Sequence, residues 1–148
     1  MKSSIPAIGT TYQSVLGAVI SSARTASEKT ITQADIAAQL GITVSTWSRI
    51  ERGESALNLE QLVKLAAYLQ IPLSALFKFV EDRIEELSRQ GVKVAVSKEA
   101  LDEERTIHLN NAQLAAMVVL PALGPLGSIV TAGVGVYAAW KKRSQKSD

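Results

Sequence analysis

The chain contains no cysteine, which excludes disulfides, thiolate metal sites and a cysteine nucleophile. Its single histidine, His108, leaves a histidine-based metal cluster without a second ligand. Net charge is scarce too. Lys and Arg number 16 against 14 Asp and Glu, a formal +2 over 148 residues. That balance rules out a bulk-charge coat on nucleic acid, so any polyanion contact must come from a local face. From Met1 to Gln90 the count is nine basic to nine acidic, which argues against tight binding by one copy alone. No nucleophile–histidine–carboxylate set, phosphate-cradling glycine loop or metal cluster stands out, and Asp102-Glu103-Glu104 suits a solvated face. An enzyme is therefore the poorest reading, and no cofactor is expected. One further absence divides the chain. Between Ala112 and Trp140 there is no charged residue at all.

Residues 1–10, short, polar and punctuated by Pro6 and Gly9, are expected to be a flexible leader without the apolar core of a secretion signal. Residues 11–90 carry helical periodicity. Tyr12, Val15, Leu16, Val19, Ile20 and Ala23 make the first apolar face. Thr32 offers a cap, with Asp35 three residues on, and Ile36, Ala37 and Leu40 give a stripe that Gly41 stops. Thr43 caps a second short helix carrying Trp47 and Ile50, ending at Gly53. Asn58 and Gln61 repeat the capping pattern before Leu62, Leu65, Ala66 and Leu69. Pro72 opens a fifth helix through Leu73, Leu76, Phe77, Val80, Ile84 and Leu87 to about Arg89. An all-α domain of five helices is the expectation. Residues 91–111 are expected to be a connector, in which Val92–Val96 and Thr106–Leu109 suit a two-stranded ribbon and Ser97 caps an acidic helical turn. Residues 112–148 form a hydrophobic tail with a basic end.

Two very short helices joined at a glycine would not be stable alone. They make sense where the second projects from a scaffold into a groove. That arrangement needs a small residue at Ala37, a left-handed turn at Gly41, and Ile36, Leu40, Ile42, Trp47 and Ile50 packed inward.

The run Thr32-Gln33-Ala34-Asp35-Ile36-Ala37-Ala38-Gln39-Leu40-Gly41-Ile42-Thr43, followed by Ser48-Arg49-Ile50-Glu51-Arg52-Gly53, resembles the Cro/C1-type (XRE family) helix-turn-helix regulators. The resemblance spans roughly Tyr12 to Leu87 and extends to Leu59-Glu60-Gln61-Leu62 and Leu65-Ala66. It implies a lambda-repressor-like fold that binds double-stranded DNA, with the helix from Thr43 entering the major groove. It also implies base-facing roles for Val44, Ser45, Thr46, Ser48 and Arg49, a phosphate contact at Gln33, and an internal Arg24–Glu51 salt bridge. Arg49 is the only long donor on that face, and a bidentate contact to guanine is the commonest use of such a residue. Val44 suits a thymine methyl. Thr43, Gln33 and Arg52 suit backbone positioning. Trp47, being inward, suits the core rather than base stacking. Two departures stand out. The Arg24–Gln33 interval is slightly longer than usual, and Glu54-Ser55-Ala56 replaces the basic residue and proline that often follow Gly53, so Glu54 should weaken affinity. A homodimer or higher homo-oligomer would restore contacts by doubling them, with the fifth helix a candidate dimer element.

The uncharged run from Leu114 to Trp140 would make about 40 Å of helix, long enough to cross a bilayer. Tyr137 and Trp140 followed by Lys141, Lys142 and Arg143 give an aromatic belt and a basic flank. Gly127, Thr131, Gly135 and Ala139 make a small-residue face for helix packing. Pro121, Gly124 and Pro125 interrupt the run, and a single crossing would export the basic cluster. A kinked span, a re-entrant or interface-lying hairpin over 112–143, and a soluble oligomer core all stay open. The sequence thus predicts a DNA-binding transcriptional regulator, cytoplasmic or tethered to the cytoplasmic membrane. The competing reading is a protein-interaction module within a membrane-associated complex.

Overall fold

The computed structural model describes residues 7–101, 106–110 and 113–114. The chain divides into two units, Met1–Asn111 and Ala112–Asp148. Of the second, only Gln113 and Leu114, both helical, are described.

The first unit runs β1 (Ala7–Thr11), α1 (Tyr12–Thr25), α2 (Gln33–Leu40), α3 (Val44–Glu51), α4 (Leu59–Tyr68), α5 (Leu73–Arg89), β2 (Lys93–Ala95), a 3-10 turn (Lys98–Ala100) and β3 (Thr106–His108). Local chemistry accounts for the helix starts. The Oγ1 of Thr11 accepts from the backbone N–H of Ser14, and Thr43 does the same for Thr46. Thr32 with Asp35, and Asn58 with Gln61, form complete capping boxes. Pro72 begins α5 without a side-chain cap, as its missing N–H allows. Four of the five helices end in the same reversal. After α2, Gly41 has φ +66°, its N–H returns to the carbonyl of Ala38, and that of Ile42 returns to Ala37. Gly53, Gln70 and Gly91 repeat the pattern after α3, α4 and α5.

The core lies where the periodicity puts it: Val15, Ile20, Ile36, Ala37, Leu40, Trp47, Ile50, Leu62, Leu65, Ala66, Leu69, Leu76, Val80 and Leu87 are all buried. Tyr12 and Phe77 depart from it. Both remain exposed and, with Leu16, Leu57 and Val96, line an open groove of about 370 Å³. Ile42, Val19 and Ile84 are half-buried.

The five helices are present, but the unit is not purely helical. A three-stranded parallel sheet, in the order β2-β1-β3, joins its two ends. Gly9 pairs with Lys93 on one side and with His108 on the other. The expected leader is thus corrected over Ala7–Thr10, which form most of the central strand. The expected ribbon is corrected as well. Its two strands exist, yet they flank β1 and do not pair with each other. Gly9 gives β1 room between them: a Cβ there would lie 2.6 Å from the Thr106 methyl, so a side chain would force its neighbours to shift. Residues 91–101 and 106–110 therefore belong with the helices, not to a free connector.

No described helix is long and apolar enough to cross a membrane. The tail residues Gly127, Thr131, Gly135, Tyr137, Trp140, Lys141, Lys142 and Arg143 lie outside the described residues.

Candidate nucleic-acid interface

Helix α3 has two faces with opposite chemistry. Its inner face holds Trp47 and Ile50, with 0% and 3% exposure, and the carboxylate of Glu51, also buried. Burying an ionised carboxylate is costly unless its lone pairs are filled, and here they are. Arg24 donates from Nε to Oε1 at 2.6 Å and from Nη2 to Oε2 at 3.2 Å. Gln33 donates to Oε2 at 2.6 Å, and the indole N–H of Trp47 donates to Oε1 at 3.0 Å. Arg24 is anchored in turn to the carbonyl of Ile31 at 3.1 Å. The Arg24–Glu51 pair is therefore formed despite the longer interval after α1. Trp47 is a core residue, and its N–H also feeds the buried carboxylate.

Helix α1 supports this face from behind. The side-chain amide of Gln13 donates to the carbonyl of Gly53 at 3.0 Å. A Cβ on Gly17 would lie 2.5 Å from the Glu51 carbonyl oxygen and 2.6 Å from that of Ile50. The two helices thus touch backbone to backbone.

The outer face presents Val44, Ser45 and Arg49 to solvent, with Thr46 and Ser48 half-buried. The hydroxyls of Thr43 and Thr46 lie 2.9 Å apart at the helix start. Arg52, expected to be available to a phosphate, is engaged within the protein. It donates through Nε to Glu54 Oε1 at 2.9 Å, through Nη2 to Oε2 at 3.1 Å, and through Nη1 to the Ser48 hydroxyl at 2.6 Å. Arg49 Nε lies 3.7 Å from the same carboxylate. The bond from Arg52 holds the Glu54 carboxyl below the usual range, helped by the charges of Arg52, Arg49 and Lys98, and Glu54 raises Arg52 in return. Gln33, expected at a phosphate, has its amide N–H on Glu51.

From the sequence, Glu54 is only a charge that weakens affinity. Its contact with Arg52 and Arg49 follows from the helix end. With Gly53 at φ +73°, the N–H of Glu54 turns back to the carbonyl of Arg49 at 2.8 Å, and that of Gly53 to Ile50 at 2.9 Å. The chain thereby returns over the last turn of α3. Lys98, from the 3-10 turn, is the other residue missed. It lies 44 residues from Glu54 along the chain, in the turn after β2, and acts on it only through its charge.

Residues 20–76 match the family model described as helix-turn-helix. The match holds the whole of α2, α3 and α4, so these three helices make up a helix-turn-helix within the first unit. No curated protein and no solved structure matches the chain.

Proposed function

We propose that the protein is a sequence-specific DNA-binding transcriptional regulator of the Cro/C1 type, reading the major groove with α3. The observation that carries this is α3 itself. An eight-residue helix has its inner face fixed by Trp47, Ile50 and the satisfied Glu51 carboxylate, while Val44, Ser45 and Arg49 on its outer face are exposed to solvent. A rigidly mounted polar helix face is what base readout requires. In this reading Arg49 reads a base, Val44, Ser45, Thr46 and Ser48 complete the surface, and Thr43 and Gln33 are the backbone-side residues, while Arg52, expected beside them, is held by Glu54 and Ser48.

The test uses full-length protein and duplexes selected from a random pool. Arg49→Ala should weaken binding to the selected duplex by about tenfold to a hundredfold and relax the preference at one position, with the melting temperature unchanged. Equal affinity and equal selectivity would remove Arg49 from the reading face. If selection enriches no sequence, the protein-interaction reading takes its place.

The charge-free run of 114–140 and the basic cluster after it support a tail that tethers the regulator to a membrane or assembles it as a dimer or higher oligomer. Full-length protein that stays soluble, at the same oligomer size as a truncation ending at Asn111, would eliminate both roles.

A further inference from the structure

We infer that Glu54 is a positioning residue that keeps Arg52 off the DNA phosphates and so limits sequence-independent DNA binding; the inference rests on the DNA-binding function proposed above.

Three of the five N–H groups of Arg52 are engaged, the Nε and Nη2 pair by the Glu54 carboxylate and one on Nη1 by the Ser48 hydroxyl. The Nε/Nη2 pair is one of the forks by which arginine holds an anion bidentately, and the Glu54 carboxylate that fills it also sets a negative charge against any phosphate approaching the rest of the guanidinium. The arrangement is not there for stability. The two side chains are half exposed, at 50% and 44%, and an ion pair in that setting contributes little to folding. Yet it is preformed. The reversal at Gly53 fixes the backbone of Glu54 against the last turn of α3, on the side that carries Arg49 and Arg52. Arg49 feels the same carboxylate more weakly, at 3.7 Å and without a hydrogen bond. Glu54 therefore discriminates between the two arginines. It occupies the fork of Arg52 and leaves that of Arg49 open. Phosphate contacts add affinity for every sequence, whereas base contacts add it for few, so withholding the former restrains nonspecific binding.

The experiment titrates a mixed-sequence duplex with the full chain across a salt series, comparing wild type, Glu54→Gln, Arg52→Gln and the double variant. Glu54→Gln should tighten mixed-sequence binding by about tenfold and steepen the salt dependence by about one released ion per protomer. In the Arg52→Gln background the same change should give little. A urea midpoint for Glu54→Gln equal to wild type shows that the gain is not a folding effect. Unchanged affinity and slope in Glu54→Gln overturns the inference. So does an equal gain with and without Arg52, which is the signature of simple charge repulsion. If neither wild type nor any variant binds this duplex or a selected one, the DNA-binding function itself fails, and this inference falls with it.

Discussion

Glu51 and Glu54 stand three residues apart at the end of one helix, and each accepts a bidentate bond from an arginine. The resemblance ends there. Glu51 and Arg24 are 6% and 14% exposed, while Glu54 and Arg52 are 44% and 50% exposed. Behind α3, the carboxylate has Arg24, Gln33 and Trp47 around it and little water to fall back on. In front of α3, water can replace any partner at small cost. The same bond is thus architecture on one side and a tunable contact on the other. Solvent access decides which, more than geometry does.

The sharpest way to break this comparison is to remove the inner carboxylate. Glu51→Ala leaves the Arg24 guanidinium without its counter-ion and strands the Trp47 N–H, and should cost about 3 kcal/mol in urea unfolding. A loss under about 1 kcal/mol would put the two glutamates in the same class. Next comes the support behind the helix. Gly17→Ala drives a methyl into the Ile50 and Glu51 carbonyls and should cost about 2 kcal/mol, read by the same measurement. A third carboxylate lies between the extremes. Asp35 is exposed, yet it accepts from the N–H and hydroxyl of Thr32 at 2.8 and 2.7 Å, and those two bonds hold it below the ordinary aspartate range. A depressed folded value means its stabilisation is present above the unfolded aspartate value and is lost as pH falls through the folded one. The melting-temperature gap between wild type and Asp35→Asn should therefore narrow on acidification through that interval. A gap constant with pH would show that the charge contributes nothing. The smallest effect belongs to the outer face, where Glu54→Gln should leave the urea midpoint where it is.

Much of the first unit was legible because its signals are local. Thr32 with Asp35, Asn58 with Gln61, Gly41 and Gly53 each announce a helix end within four residues of where it falls. The inward set Ile36, Ala37, Leu40, Trp47 and Ile50 was readable for the same reason. The sheet was not. Ala7–Thr11 is too short to show a period, and its partners lie beyond five helices, so Pro6 and Gly9 looked like loop punctuation. Tyr12 and Phe77 fit the helical stripes yet face an open groove, since periodicity marks a side of a helix and not what covers it. The exposure of Arg49 and Ser45 on the outer face of α3 could be read from position alone. The occupation of Arg52 could not, because it depends on the reversal that brings Glu54 back.

The central place of β1 also constrains how this protein can be made and cut. β1 leaves the ribosome before either of its partners, β2 and β3, has been synthesised, so it must wait unpaired while all five helices form. Trimming the chain at Gln90, where the helices end, would take both neighbours from it at once. The trimmed protein would carry a bare strand bearing Ile8, Thr10 and Thr11, a ready template for self-association. The smallest unit to isolate therefore runs past the last helix, through His108.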